Sequence, residues 1–228
     1  AAERFDRVFL ACHSDQALRL LADATDAERE VLGAIRYQRN DVSVVTNVSA
    51  DHIGLQGIDT LDELAEVKGA VVRITRREGW AVLNGEDSRV WAMRLHSRAR
   101  PYAFSLTPGA PAVKEGLAAG GRASVLERGG IVLRRPRGRR VRVVAADDLP
   151  VTFGGLSRYN VANALAAAAA CDALGLSTDE IRDGLLSFAQ DASVNPGRLN
   201  LYSRRGVLAL IDFAHNEAGL AGLLDVCD

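Results

Sequence analysis

Apolar and polar positions change texture along this chain, and each texture predicts an element. Residues 7 to 12, Arg-Val-Phe-Leu-Ala-Cys, form a short apolar run that reads as a strand. Helical spacing follows over about 15–22 and 26–36, and Thr25 and Glu28 stand three apart, so that each bonds the other's amide in a capping box. From Val42 to Val48 the run is almost entirely β-branched, which suits a strand buried on both faces of a parallel sheet. Thr60 and Glu63 open another capped helix that ends near Lys68, with Val71 to Ile74 extending it, and Trp80 to Asn84 forms the next strand. Strand, helix and strand make a crossover unit. The polar Asn84-Gly85-Glu86-Asp87 then falls at a strand end, where ligand-facing loops lie in such sheets.

Residues 102–153 read as short strands with turns, an antiparallel extension that includes a hairpin from Ala123 to Arg134 around Arg128-Gly129-Gly130. The alanine-rich stretch Val161 to Leu176 is a strong helix former, and Ser177 with Glu180 makes a third capping box for the following helix. Asn195-Pro196-Gly197 breaks the chain. Beyond it, Gly206 to Phe213 reads as a buried strand and Ala218 to Val226 as a helix. No internal repeat or low-complexity segment is present. The expectation is an α/β fold, with an incomplete central domain of parallel sheet, helices and a small antiparallel extension, followed by the start of a second, Rossmann-like domain.

Composition narrows the class but names no chemistry. The chain has 228 residues, 48% hydrophobic and 25% charged, with a formal net charge of -1, which argues against a general polyanion binder. Cys12, Cys171 and Cys227 are far apart and odd in number, so neither a zinc site nor a disulfide framework is implied, and a reducing cytoplasm is the expected compartment. No apolar run approaches the roughly 20 residues of a membrane span, and no signal peptide is read at the start. The arginine-rich run Arg134 to Arg142 has no aromatic residue interleaved to stack bases, so it reads as a solvated hairpin and no nucleic-acid partner is expected. Cys12-His13-Ser14-Asp15 lacks a matching base and reads as a strand end and helix cap.

Three runs carry candidate chemistry. Thr46-Asn47-Val48-Ser49-Ala50-Asp51-His52 follows a buried strand, so Asp51 and His52 stand at the carboxyl edge of the sheet, where hard ligands meet a nucleotide-bound cation. Taken alone, His52 also suits a loop hydrogen bond. In Arg158-Tyr159-Asn160-Val161-Ala162-Asn163-Ala164 the two asparagines share a helix face and can present amides to a flat heteroaromatic edge, although Asn160 also suits a helix cap. Ile211-Asp212-Phe213-Ala214-His215-Asn216 ends a strand with a carboxylate.

In order and spacing these runs resemble the Mur ligase superfamily, and the wording around the first resembles the ligase region of the cyanophycin-synthetase type. The resemblance covers about residues 41–228. It implies a ligase that uses ATP and Mg2+ to activate a carboxylate as an acyl phosphate, which an amine then attacks. By the same resemblance His52 holds the metal and Lys68 stands where some members carry a carbamylated lysine. Asn163 contacts adenine with Asn160 beside it, Arg198 reaches the phosphates across a domain interface, and Asp212, His215 and Asn216 complete the nucleotide site. Lys68 and Arg198 are the expected catalytic residues. Lys68 also suits a solvated helix end. Phe213 replaces the family's tyrosine and Glu217 its proline, which leaves His215 and Asn216 less securely placed.

The chain contains no glycine-rich turn ending in Gly-Lys-Ser or Gly-Lys-Thr, so a fragment inactive by itself is expected. Residues 4–40 instead resemble a piece of a flavin-dependent amine oxidase without its dinucleotide-binding turn, with a join near Asn40 to Val42. The expected domains are thus 1–40, 41–195 and 196–228. Expected partners are small-molecule or peptide substrates, including amino acids and an aspartate and arginine polymer, and a homo-oligomer is open. The competing reading is a non-catalytic α/β interaction module or fusion product.

Overall fold

The computed structural model describes residues 14–34, 40–50, 53 and 54, 57–188 and 191–227, in two compact units, 1–39 and 40–228. In the first unit, helices α1 (Ser14–Leu20) and α2 (Asp26–Ala34) pack on each other. The capping box at α2 forms: the Thr25 amide donates to Glu28 Oε2 at 2.7 Å and the Glu28 amide donates to Thr25 Oγ1 at 3.3 Å. The strand expected over 7–12, with Cys12 and His13, lies outside the described residues.

In the second unit six strands form one sheet in chain order: β1 (Val42–Val45), β2 (Trp80–Asn84), β3 (Arg100–Ser105), β4 (Arg122–Glu127), β5 (Gly130–Arg134) and β6 (Arg140–Ala145). The first four are parallel, and β5 and β6 are antiparallel. Period-two alternation divides their side chains between two cores. Ala81, Leu83, Ala103, Ala123 and Val125 pack with α3 (Leu61–Lys68), α4 (Ala70–Arg73), α5 (Ser88–Ala92) and α6 (Pro111–Ala118). Trp80, Val82, Tyr102 and Phe104 pack on the other face with α7 (Arg158–Leu174) and α8 (Thr178–Ser187). Helices therefore cover both faces, which is why these strands read as continuous apolar runs.

Residues 102–153 correct the sequence expectation. β3 and β4 continue the parallel sheet with α6 between them, and only β5 and β6 are an antiparallel extension. The eight-residue α6 begins with Pro111 after an Ala110 that offers no side-chain cap, so its start carries no polar signal. The five-residue α5 is too short for helical spacing to show. The hairpin stands as expected, with Ala123 opposite Arg134. The arginine run is not wholly solvated. Arg135 and Arg122 both pair with buried Asp172 of α7, which also accepts from the Tyr102 hydroxyl at 3.0 Å. Burial, reinforced by the Asp172 charge, pushes the Tyr102 phenol well above its ordinary pKa. Arg134 and Arg140 both pair with Glu127, and those bonds hold its carboxyl below the usual range.

After Asn195 the chain forms a separate two-stranded sheet, β7 (Asn200–Arg204) and β8 (Val207–Ile211), and then α9 (Glu217–Cys227). β8 was expected to be buried, yet Val207 and Leu208 are 66% and 69% exposed, because the six-stranded sheet closes its cores without it. Among the described residues no helix is long and apolar enough to cross a membrane.

Three hairpin turns place arginine before glycine with both residues at positive φ: Arg128-Gly129, Arg137-Gly138 and Arg205-Gly206. Consecutive left-handed residues match the twist of paired strands, but asparagine adopts that conformation at less cost than arginine. Arg137→Asn is expected to raise stability by roughly 0.5–1 kcal/mol, read as a higher urea midpoint at unchanged slope.

Candidate functional site

β1 delivers the chain to the carboxyl edge of the sheet, and side chains from neighbouring elements fix where it goes next. Asn84 Nδ2 donates to the Thr46 carbonyl at 2.8 Å, the Val48 amide donates to Asp87 Oδ2 at 2.7 Å, and Lys68 Nζ donates to the Asn47 carbonyl at 3.2 Å. Lys68 is the last residue of α3, whose capping box at Thr60 and Glu63 sets the start of the helix and hence the position of its end. Its amine is therefore turned toward the sheet edge. His52 lies outside the described residues.

On the other face, α7 starts after Ser157, and Asn160 stands inside its first turn rather than capping it. Asn160 is buried: its Nδ2 donates to the Val151 carbonyl at 2.8 Å and its Oδ1 accepts from Asn163 Nδ2 at 3.3 Å. Asn163 is exposed on the same helix face. The pair is thus divided into one amide that braces the fold and one that faces outward.

The Asn195-Pro196-Gly197 break is a tightly bonded turn. Buried Asn200 accepts from the Gly197 amide at 2.6 Å and donates to the Asn195 carbonyl at 3.1 Å, while the Phe213 amide donates to the Gly197 carbonyl at 2.7 Å. Asp212 Oδ2 accepts from the Leu199 amide at 2.9 Å. Leu199 holds φ 47, and that bond helps to keep it there. The Arg198 guanidinium lies 5.5 Å from the Phe213 ring centre, and His215 Nδ1 is 2.9 Å from the Phe213 carbonyl oxygen. Asn216 Oδ1 accepts from the Gly219 amide at 2.8 Å, so it caps α9. Glu217 takes the first helical position, where a negative charge favours the helix, so its presence in place of proline leaves the helix start intact.

These segments meet around a cavity of about 570 Å³. Lys68 with Thr46, Asn47 and Ser49 lines one side, Asn160 and Asn163 another, and Arg198, Asp212, His215 and Asn216 the remainder. Every expected site residue that is described reaches this cavity. Among the described residues no three histidine, cysteine, aspartate or glutamate side chains gather as a metal cage.

The family description "Mur ligase middle domain" matches residues 26–171. The chain belongs to the Mur ligase middle-domain family. It is 38% identical over 191 residues to the cyanophycin synthetase of a Synechocystis species, a stretch that makes up 84% of this chain and 22% of that relative. A UDP-N-acetylmuramoyl-L-alanyl-D-glutamate--2,6-diaminopimelate ligase from Alkalilimnicola ehrlichii is 30% identical over 210 residues, 91% of this chain and 38% of that relative. Among solved structures, MurF from Acinetobacter baumannii shares the fold with a TM-score of 0.57 at 22% identity, covering 82% of this chain and 37% of the other. The chain therefore spans about a fifth of the length of the cyanophycin synthetase it matches.

As a Mur ligase middle domain the chain has its open loops where parallel strands end, as expected, and its matched region begins at residue 26, upstream of the join expected near Asn40. Among the cavity residues to which the sequence assigned no role, Tyr159 carries chemistry. Tyr159 is half-buried, and burial, reinforced by the Asp212 carboxylate and opposed by Ser157 and Arg198, raises its phenol pKa. A methyl group at Gly222 of α9 would stand 3.0 Å from the Tyr159 ring, so the absence of a side chain there lets the helix and the ring pack without either shifting. The sequence signal was the position of Tyr159 beside Asn160 in the motif, but its contact with α9 depends on residues some sixty positions away in the chain.

Proposed function

We propose that this cavity binds ATP and that the chain is the nucleotide-binding part of a ligase that joins a carboxylate to an amine. The observation that carries the reading is the convergence of Asn163, Arg198 and Asp212, from three separate stretches of sequence, on one cavity. Asn163 presents an amide to the adenine edge, while Asn160 holds it in place. One oxygen of Asp212 is engaged by the Leu199 amide, and the carboxylate also accepts from ribose hydroxyls. The Arg198 guanidinium, always charged and able to bond two oxygens at once, meets the phosphates, with His215 and Asn216 beside it. Lys68 supplies positive charge on the side where the sheet edge faces the transferring group. Catalysis of this kind rests on positioning and charge stabilisation around the phosphates.

The described residues do not by themselves make a ligand set for magnesium. In this reading the ion arrives on the nucleotide, as magnesium commonly keeps waters and phosphate ligands, and His52 is its proposed protein ligand. The substrates are an acid and an amine of the amino-acid or peptide class. We assign residues 41–195 to the central domain and 196–228 to the beginning of the next. The amine-oxidase resemblance of residues 4–40 rests on their sequence, and the family match from residue 26 overlaps it.

This chain carries no Gly-Lys-Ser or Gly-Lys-Thr turn to cradle the transferred phosphate, so it is expected to bind nucleotide without turnover. A coupled phosphate-release assay with Mg-ATP and aspartate- or arginine-containing acceptors should stay at the background without acceptor. Acceptor-dependent release would overturn the inactive reading.

A further inference from the structure

The short turn after β2 binds the loops on both sides of it, and no motif used so far accounts for that. Its four residues are Asn84-Gly85-Glu86-Asp87. Glu86 Oε1 accepts from Ser105 Oγ at 2.9 Å and from the Thr107 amide at 2.8 Å, holding the loop after β3. Asn84 and Asp87 hold the loop after β1, through the Thr46 carbonyl and the Val48 amide. Between those two points the Asn47 carbonyl accepts from Lys68. Three successive residues of a cavity-lining loop are thus each bonded to a side chain from another element. Val48 is buried, so its amide has no water to replace a lost partner.

We propose that Asn84 and Asp87 are positioning residues of the nucleotide site, fixing residues 46–48 so that the Asn47 carbonyl holds the Lys68 amine at the cavity rim. The proposal rests on the nucleotide reading of that cavity. Each of the two side chains has one atom bonded within its own turn and another bonded to the loop. Asp87 Oδ1 accepts from the Arg89 and Val90 amides and caps α5, while Oδ2 is committed to Val48. Asn84 Oδ1 accepts from the Glu86 amide, while Nδ2 is committed to Thr46. Local folding and loop placement are therefore separable by exchanging acid and amide.

In Asp87→Asn the amide oxygen retains the cap, since asparagine caps as well as aspartate, but its NH2 now faces the Val48 N–H, donor against donor. In Asn84→Asp the bond from Glu86 is retained and the second oxygen faces the Thr46 carbonyl, acceptor against acceptor. Asn84→Asp should melt close to the parent chain and Asp87→Asn cooperatively but lower, since it leaves the buried Val48 amide without an acceptor. Both should exchange the Val48 amide at least about tenfold faster and bind Mg-ATP at least about tenfold more weakly, a change of roughly 1.4 kcal/mol. Asp62→Asn, which removes an exposed partner of Arg89, should change neither exchange nor binding.

The test is titration calorimetry with Mg-ATP together with amide exchange at Val48, on the full chain and the three variants. Parent-like affinity in Asp87→Asn and Asn84→Asp despite rapid exchange at Val48 would overturn the positioning role while leaving the nucleotide reading intact. So would unchanged exchange in both. A parent chain with a protected Val48 amide and no Mg-ATP binding would overturn the nucleotide reading, and the positioning proposal with it.

Discussion

Asp172→Ala is expected to destabilise the fold by about 3–5 kcal/mol, the scale for removing one partner of a buried ion pair. The Asp172 side chain is 2% exposed and its carboxylate accepts from Tyr102, Arg122 and Arg135 together. Alanine would leave two guanidinium groups facing a hole with no counter-charge and a buried hydroxyl without its acceptor. The cost would spread through the sheet, because Arg122 and Arg100 both stack over Trp80, with guanidinium carbons 4.4 and 3.9 Å from the ring centre. The exposed Arg89–Asp62 pair is the internal control: its side chains are 42% and 82% exposed, and breaking it should cost under about 1 kcal/mol. Urea unfolding of both variants reads the difference. A loss below about 1 kcal/mol for Asp172→Ala would show that the cluster is water-relaxed and does not anchor α7.

The second large effect separates two neighbours in one motif. Asn160→Ala should cost roughly 1–3 kcal/mol of stability, since it leaves the Val151 carbonyl without the donor of the buried Asn160 side chain. Asn163→Ala should leave the melting midpoint nearly unchanged and weaken Mg-ATP binding about tenfold or more, because Asn163 is exposed, lines the cavity and, among the described residues, bonds to Asn160 alone. Thermal melts and calorimetric titration of the two variants test the split. Reversed behaviour, with Asn163 the stabiliser and Asn160 neutral, would contradict the assignment of roles.

Much of this was legible because the signals were local. Capping boxes at Thr25, Thr60 and Ser177 formed as the spacing dictated, since both partners lie within one helical turn. The β-branched run Val42 to Val48 marked a strand, but β1 takes only Val42–Val45 at the edge of the sheet, and Val44 is 42% exposed, so the burial expected on both faces holds for one face only. The hairpin around Arg128-Gly129 was readable from its turn residues. What failed was non-local or too short to carry a period. α6 begins at a proline with no polar cap, so the parallel pairing of β3 with β4 was mistaken for an antiparallel extension. β8 looks like a core strand in sequence, but exposure depends on what packs against it, and among the described residues it pairs with β7 alone. The roles of Asn84 and Asp87 were hidden for the same reason: the turn was visible at a strand end, but its bonds to Thr46 and Val48 join residues nearly forty apart.

The central claim, that the cavity is a nucleotide site, is tested most directly by a thermal melt of the chain with and without Mg-ATP. At about a hundred times its dissociation constant a ligand adds roughly 2.7 kcal/mol to the folded state, which for a chain of this size is a rise of several degrees. The account predicts a single cooperative transition that moves upward by that amount, and by only about half as much at the same Mg-ATP concentration when Asn163 is replaced by alanine. A cooperative melt that does not move at saturating Mg-ATP would contradict it.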